Sequence, residues 1–599
     1  MKKKFLIILC FLLMPSLHGQ EHPIEEIISI VSKIPVKSEN VLSTVDTLDK
    51  VSLKRTVPRD FLSILSNSFA IDTSSNGGPG QVASIFLRGT NSNQTLIKVN
   101  GIKINPSTAG GASIYNFDPS LIAKIEIGSG PFSSIHGSEA IGGIINISTF
   151  EDFEDNSLEV NLGMGPDSFK KESLNTHWRR EEKAININLV DLRTNGFPSL
   201  TTSGIDRGYK NQSFVGTFIQ RTKNLEQLIS IWSAKGTTEY LGFGEIPTSQ
   251  NYKNQASSFN LSYKPDEILW IQANINSSKD FITQNEVNIL STKDLTETER
   301  DSLEIMIHKS NPDKFALSIG YILENEKVDY ASYGTVFNKS LTTKSIFMSG
   351  KFLVNKDSIL IKIRNSDHEV YGNKLSWNFG YWKNLNNLLA LVVNTGVAFR
   401  SPNSSELYGY GANLELKPES SKSYELSLIR KKNKGKVIRL VFFSNQIKNL
   451  IDFNFSEYIL KNIKQSKTKG IELRYKWDTS SLNGNLLLRY QQPKDEMGNQ
   501  LIRRSKKSIS VNLYKDFNTK SINFNILAFD RRQDFGGIEL PGYVIFNFSF
   551  LKDFSDAFSL SMRLENIFDK EYFTAAASNG YYRNQGKSIW INTNYKLRR

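Results

Sequence analysis

The sequence predicts a transmembrane β-barrel of about 22 antiparallel strands, with an N-terminal α+β plug domain inside the lumen. Three observations predict this fold class. A glycine-punctuated segment, residues 76–148, precedes a long series of short strands with alternating polarity. The chain begins with an apolar segment typical of a secretion signal. After that segment, no apolar run reaches the length of a membrane-spanning helix, and the mean hydropathy is −0.34.

Residues 1–19 are expected to form a signal peptide. Residues 2–4 supply its positive charge, residues 5–14 its apolar region and residues 17–19 its cleavage region. Cys10, the only cysteine of the chain, lies inside this segment. We therefore expect a mature protein outside the cytoplasm, with neither a disulfide nor a cysteine-bound metal.

The excess of positive charge does not indicate a nucleic-acid partner. Removing the signal, which carries three lysines and no acid, lowers the formal net charge from +14 to +11. The 74 basic residues are interspersed with 60 acidic ones and are not clustered on one face. This pattern is typical of solvated loops and a polar lumen, so we expect no nucleic acid to bind.

Strands that alternate between lipid and lumen give a chain that is polar on average. In residues 558–564, 522–526 and 546–550 the even-numbered positions are apolar and the odd-numbered ones polar. A soluble β-sandwich has the same period, so this alternation alone leaves both folds open. The 37 phenylalanines and 22 tyrosines suit interfacial girdles. Together with the secretion signal, they favour a barrel in contact with outer-membrane lipid.

The length of the β-rich region sets the size of the barrel. At about 20 residues per strand and connection, residues 151–599 provide on the order of 22 strands. Lipid offers no hydrogen bonds to a free sheet edge, so the sheet must close on itself. A barrel this wide has an open lumen unless another part of the chain fills it. Residues 40–150 are the expected filler.

Residues 40–150 are typical of a small mixed domain. A short helix is predicted after Val57-Pro58-Arg59-Asp60. Asn100-Gly101 between apolar runs predicts a tight hairpin turn. The predicted strands are 85–87, 95–99, 125–127 and 144–147.

Four motifs of this domain resemble the plug of TonB-dependent receptors. They are Arg88-Gly89, Val99-Asn100-Gly101, the segment IEIGSGP (125–131) and the segment HGSEAIGGIINI (136–147). Barrel motifs of the same family are matched at 399–402, 406–408, 413–419, 469–472, 540–543 and 565–572. The resemblance covers nearly all of the mature chain and is strongest to the cobalamin receptors of the family. It implies active uptake of a scarce nutrient across the outer membrane, and not catalysis.

The chain departs from the family pattern at three places. Ser129 stands where the family has an arginine of a charge cluster between plug and barrel, which leaves Arg88 as the implied plug–barrel anchor. His136 replaces a tyrosine, and is either a pH-sensitive contact or a hydrogen-bonded structural histidine. The chain ends in Lys-Leu-Arg-Arg where the family has an aromatic residue, which could alter recognition by the barrel assembly machinery.

The mature N-terminus carries a segment that resembles the TonB box of the family. A filled barrel needs energy for passage, and no glycine-rich segment of the chain continues into the Lys-Ser/Thr of a phosphate-binding loop. The force is therefore expected to come from the partner TonB. A short apolar strand within the leader 20–39 suits addition to the edge of a partner's sheet. The expected TonB box is Ile24, Glu25, Glu26, Ile27, Ile28, Ser29 and Ile30.

The outward loops of the plug, residues 75–84 and 105–115, are the expected floor of the ligand site. The resemblance to cobalamin receptors implies corrinoid contacts at Val82, Ser84, Asn91, Ala109, Gly110, Arg503 and Phe535. The region that binds calcium in cobalamin receptors corresponds to residues 195–211 and keeps little beyond Asp206. These are too few oxygen ligands for a dedicated site, so we expect no metal, no cofactor and no strong calcium dependence.

Other functions stay open at this point. A ferric-siderophore receptor has the same architecture, and a surface lipoprotein is a further potential partner. An outer-membrane enzyme is the alternative of a different class. Beyond the leader the chain has only four histidines, and it contains no His-x-x-x-His or nucleophile-elbow motif. The sequence therefore favours a transporter.

Overall fold

The computed structural model describes residues 27–33, 36–37, 41–108, 110–153, 156–242, 245–285, 294–432, 435–454, 456–479 and 481–598. The expected signal peptide lies outside these residues. So do Ile24, Glu25 and Glu26 of the expected TonB box and Ala109 of the expected ligand site.

The N-terminal part folds into an α+β domain around a five-stranded sheet with the order β3-β8-β9-β6-β7. Strands β6 and β9 are parallel, and the other neighbours are antiparallel. Four short 3₁₀ helices, 87–89, 92–94, 114–116 and 119–121, lie in its connections. Its helices and strands are β1 (Ile27–Ile28), β2 (Val36–Lys37), β3 (Thr44–Asp49), α1 (Lys50–Thr56), α2 (Phe61–Phe69), β4 (Asp72–Ser75), β5 (Ala83–Phe86), β6 (Thr95–Val99), β7 (Ile102–Lys103), β8 (Lys124–Ser129), α3 (Ser133–His136) and β9 (Gly143–Ser148).

The rest of the described chain forms a closed barrel of 22 antiparallel strands, which confirms the predicted count. The barrel strands are β10 (Ser157–Met164), β11 (Lys170–Arg180), β12 (Lys183–Thr194), β13 (Tyr209–Arg221), β14 (Leu225–Leu241), β15 (Pro247–Tyr263), β16 (Leu269–Asn285), β17 (Asp294–Asn311), β18 (Phe315–Ser332), β19 (Thr335–Val354), β20 (Asp357–His368), β21 (Gly372–Asn384), β22 (Leu389–Arg400), β23 (Glu419–Lys432), β24 (Lys436–Asn454), β25 (Ile459–Trp477), β26 (Asn483–Asp495), β27 (Lys507–Phe517), β28 (Lys520–Phe529), β31 (Tyr543–Asp553), β32 (Phe558–Glu565) and β35 (Ser588–Arg598). The first strand closes on the last, with Val160 opposite Tyr595.

In their described residues, the connections of the barrel contain one α-helix, one 3₁₀ helix (Phe535–Gly537) and two small hairpins. The helix α4 (Ser404–Tyr408) lies between β22 and β23. One hairpin is β29 (Arg532–Gln533) with β30 (Glu539–Leu540), and the other is β33 (Phe573–Ala577) with β34 (Gly580–Arg583). Long connections alternate with short turns, so the longest segments, 195–208, 401–418, 496–506, 530–542 and 566–587, share one end of the barrel. Outer-membrane barrels carry long loops outside and short turns in the periplasm, so this end is the extracellular end.

Helix α2 begins where the sequence predicted. The side chain of Asp60 accepts a hydrogen bond from the backbone N–H of Ser63 at 2.7 Å, and Ser63 completes the capping box. Its apolar residues Phe61, Leu65 and Phe69 are buried in the plug core. The predicted hairpin is also present, because β6 and β7 are joined by Asn100 and Gly101 with φ of 50° and 81°.

The alternation of the barrel strands separates two surfaces. Along β10 the apolar side chains Leu158, Val160 and Leu162 are exposed on the outside. Along β28 the polar side chains Asn523 and Asn525 are buried inside the barrel. The polar lumen therefore packs against the plug while the apolar surface faces lipid. Among the helices that the structure describes, none is long and apolar enough to cross a bilayer.

Candidate functional site

The described residues of the expected ligand floor lie at the extracellular end of the plug. Val82 is 51% exposed, and Gly110 is exposed as well. Ser84 is half-buried in β5, where it pairs with Ser74 of β4. The exposed positions among them are free to contact a ligand that enters from outside.

The structure brings together Arg503 and Phe535, which lie 32 positions apart in two extracellular loops. The Arg503 guanidinium carbon lies 5.4 Å from the centre of the Phe535 ring. Asp534 fixes the arginine, because its Oδ1 accepts a hydrogen bond from Arg503 Nε at 2.8 Å. Phe535 is 61% exposed. The pair offers a cation and an aromatic face at the barrel mouth.

Arg504 was missed by the sequence analysis and joins the plug floor to the barrel loop. Its guanidinium lies 4.0 Å from the centre of the Phe86 ring. It also donates hydrogen bonds to the carbonyl oxygen of Thr90, at 3.3 Å, and to the side-chain oxygen of Asn91. Asn91 therefore orients the loop that carries Arg503. The sequence offered only the adjacency of the two arginines, which does not tell which one faces inward.

The second expected floor loop, residues 105–115, is more covered than the sequence suggested. Helix α4 lies on it, and the backbone N–H of Ser405 donates to the carbonyl oxygen of Ser107 at 3.0 Å. From the barrel wall, Arg300 Nη1 donates to the carbonyl oxygen of Asn105 at 2.9 Å. Among the described residues of this loop, Gly110 is the one classed as exposed.

Arg88 lies in a buried charge cluster between plug and barrel. Its guanidinium contacts Glu425 of β23 at 2.7 Å and Glu472 of β25 at 2.9 Å. Glu472 also pairs with two barrel arginines, Arg474 at 2.7 Å and Arg489 at 2.9 Å. Arg88 thus joins the plug to the barrel, although residue 129 is a serine where the family has a second arginine. The barrel supplies the other arginines of the cluster.

The leader is partly docked inside the barrel. Its strand β1 pairs antiparallel with β2, with Ile28 opposite Val36, and the chain turns after Ser29. The extended conformation expected for the whole TonB box is thus limited, in the described part, to Ile27 and Ile28. Ile28 and Ile30 are 2% and 3% exposed in a cluster with plug residues such as Phe132. Burial of these apolar side chains explains the turn.

Polar contacts hold the docked leader on both sides. Ser29 Oγ donates to Glu126 Oε2 of the plug at 2.8 Å. His136 Nε2 donates to the carbonyl oxygen of Ile30 at 2.7 Å, and Lys33 pairs with Glu304 of the barrel. His136 is thus a buried, hydrogen-bonded histidine.

Acid is expected to weaken leader docking through His136. Burial, followed by the charges of Lys98 and Lys33, holds the pKa of His136 well below the ordinary value of 6.5. Because the docked state disfavours the protonated imidazole of His136, acid lowers the free energy of leader docking. The full docking free energy is present above pH 6.5 and is lost as the pH falls below that value. We predict that the undocked fraction rises by up to about tenfold per pH unit below that value. Hydrogen–deuterium exchange of residues 27–33 at pH 7.5 and 5.5 measures it, corrected for intrinsic rates.

His136→Gln is the control for this prediction, since glutamine donates a hydrogen bond but does not titrate. Its leader exchange should change less with pH than that of the unaltered protein. Equal pH dependence in both proteins would contradict the assignment to His136.

Residues 195–211 are the region for which the sequence predicts no dedicated calcium site. No group of three or more His, Cys, Asp or Glu side chains that could hold a metal ion occurs in the described part of the chain. The absence of a strong calcium dependence stays a prediction.

Two family models match the chain. The model described as TonB dependent receptor-like, beta-barrel matches residues 152–567, and the TonB-dependent Receptor Plug Domain matches residues 37–144.

Curated relatives match over nearly the full length. The chain is 26% identical to the vitamin B12 transporter BtuB of Vibrio vulnificus (strain YJ016) over 97% of both chains. It is 24% identical to BtuB of Vibrio cholerae (strain M66-2), over 98% of this chain and 99% of the relative.

Solved structures of lower identity share the fold. The ferric enterobactin receptor PfeA of Pseudomonas aeruginosa is 15% identical with a TM-score of 0.80, covering 92% of this chain and 98% of that one. The siderophore receptor PirA of Acinetobacter baumannii is 18% identical with a TM-score of 0.76, over 92% and 98% of the two chains.

Proposed function

This chain belongs to the TonB-dependent receptor family, and from that membership we propose that it imports cobalamin or a related corrinoid across the outer membrane. Members of the family are outer-membrane transporters and receptors that bind small molecules and act with TonB. We propose no catalytic activity.

One observation carries the corrinoid proposal. The relatives named vitamin B12 transporters align with 97% or more of this chain in the comparisons above, so plug and barrel are both included in the likeness. The siderophore receptors resemble the chain at 18% identity or less, which is a likeness of fold. A ferric-siderophore ligand is therefore the second candidate.

We propose that the ligand rests between the plug floor and the extracellular loops. Val82, Ser84, Ala109 and Gly110 would contact it from the plug, and Arg503 and Phe535 from the loops. Support comes from the exposure of Val82 and Phe535 and from the closeness of Phe535 to Arg503. Asn91 would act by holding Arg504, and through it the loop of Arg503.

The energy for import is proposed to come from TonB pairing with the segment 24–30. Ile28 and Ile30 are buried in the docked leader, so this segment has to leave its cluster before it can add to a partner strand. A pull on the freed leader would then be transmitted to the plug sheet, which begins at β3.

Binding by the purified protein tests the proposal. We expect saturable binding of cyanocobalamin, measured by isothermal titration calorimetry, and no binding of ferric enterobactin at the same concentrations. Cells that express the protein should accumulate radiolabelled cyanocobalamin only when TonB is present. Binding of the siderophore alone would replace the corrinoid proposal with the second candidate.

A further inference from the structure

A chamber separates the plug from one part of the barrel wall at the extracellular half of the molecule. The plug contributes the half-buried side of α2, with Leu62 and Ser66, and the outward loop from Ser75 to Gln81. The barrel contributes strands β12, β13, β28, β31, β32 and β35. The chamber thus leads from the proposed ligand floor down to a plug helix. Its cavity volume of about 100 Å³ admits a side chain of a large ligand but not the whole ligand.

The walls of the chamber combine flat aromatic rings with side-chain amides. Six of the rings are those of Tyr115, Phe117, Tyr209, Tyr543, Tyr572 and Trp590. The amides are those of Asn67, Gln81, Asn211, Asn547, Asn584 and Gln585. Apolar walls with a few polar groups are the usual composition of sites for small organic molecules. Amides both donate and accept hydrogen bonds, so they match a ligand that bears carboxamides.

The charges that line the chamber disfavour anions. Arg59 is its one cation among the described residues, against the carboxylates of Asp60, Asp118 and Glu565. Arg59 already bonds two of them, Asp60 at 2.7 Å and Glu565 at 3.2 Å. Asp118 Oδ2 and Glu565 Oε2 are buried and have no hydrogen-bond partner among the described residues. A ligand cannot reach these buried oxygens, but a lining with one cation and three carboxylates favours a neutral ligand over a negatively charged one.

One group of plug–barrel ion pairs lies outside the chamber. Arg88 pairs with β23 and β25, Asp46 with β25, and Lys33 and Lys103 with β17 and β18. The chamber faces the strands from β28 through the closure of the barrel to β13. On the chamber side, plug and barrel are joined by the pair of Arg59 with Glu565 at 3.2 Å and by the pair of Asp118 with Lys171 at 3.4 Å.

We infer that this chamber is a second, transient binding site on the import route, which takes the carboxamide-bearing edge of an uncharged ligand as it passes between plug and wall. The inference rests on the proposed import of a corrinoid, whose ring periphery carries carboxamides. Ferric catecholate siderophores, which are polyanions, do not match this site.

Filling the chamber tests the inference. Ser66→Trp places an indole in it from helix α2, and Ser68→Trp is the matched control. Ser68 is half-buried on the same helix but does not line the chamber. We expect Ser66→Trp to bind cyanocobalamin at the cell surface like the unaltered protein, but to import it at least about tenfold more slowly. Ser68→Trp should bind and import normally. Asn584→Trp fills the chamber from the barrel side, and replaces Ser66→Trp if that variant is missing from the outer membrane.

The outcomes separate the two levels of the proposal. Normal import by the chamber-filled variant, or an equal loss in Ser68→Trp, overturns the chamber site and leaves the proposed function intact. Failure of the unaltered protein to bind or import cyanocobalamin overturns both. A cobalamin with one carboxamide hydrolysed to a carboxylate provides a second probe. Its import rate should be lower than the amount bound at the cell surface predicts. An import rate in proportion to the amount bound would contradict the role of the chamber carboxylates.

Discussion

Replacing Ile27 by proline is expected to abolish uptake while the outer face still binds its ligand. Proline lacks the backbone N–H that a strand needs to pair with a partner's edge, and its ring fixes φ. Ile27 lies far from the extracellular loops, in the strand β1 of the leader. The measurement compares radiolabelled cyanocobalamin bound to cells at 4 °C with cyanocobalamin accumulated at 37 °C.

Ile27→Val is the matched control, because valine keeps both the N–H and the β-branched side chain. It should bind and accumulate the ligand at the rates of the unaltered protein. Full uptake by the proline variant would show that strand pairing at residue 27 is not the step that delivers energy. A loss of surface binding would show that the proline acts through plug stability.

Local sequence patterns were sufficient for much of the fold. The Asp60 cap and the apolar spacing after it predicted α2, and Asn100-Gly101 predicted the β6–β7 hairpin. Alternating polarity, together with the secretion signal and the aromatic content, predicted the barrel, and the length of the β-rich region predicted its number of strands. These features depend on residues that are close in the chain.

Contacts between distant parts of the chain could not be predicted in the same way. Arg88 and Glu472 are 384 positions apart, and only the closed barrel with the plug inside it brings them together. The family motif identified Arg88 but not the two barrel arginines, Arg474 and Arg489, that also contact Glu472. The docking of Ile28 and Ile30 could not be predicted either, because an apolar segment can pair with a partner's sheet edge or pack into a buried cluster.

In the ligand site, the contacts of single residues could not be predicted from the sequence either. Arg503 and Arg504 are adjacent, and only the structure shows that the first points to Phe535 while the second lies on Phe86. The residues that line the chamber are scattered along the chain between Arg59 and Trp590, so no continuous segment of the sequence could predict it.

Glu472→Gln is expected to loosen the plug more than any surface substitution. The Glu472 side chain is fully buried and neutralises three guanidinium groups, those of Arg88, Arg474 and Arg489. Glutamine has nearly the same shape but no charge, so it leaves the arginines undercompensated in a buried site. Removing one partner of a buried ion pair typically costs about 3–5 kcal/mol. We expect faster hydrogen–deuterium exchange of residues 86–91 and entry of large antibiotics that the outer membrane normally excludes.

Glu457→Gln provides the control, since Glu457 pairs with Lys461 on the surface, where its side chain is 54% exposed. An exposed pair contributes about 1 kcal/mol or less, so neither exchange nor permeability should change. If Glu472→Gln behaved like this control, Glu425 and Asp46 alone would suffice to neutralise the cluster, through Arg88 and Arg474. The plug would then be held at Arg88 by its pair with Glu425 alone, and Glu472 would not be needed for the anchor.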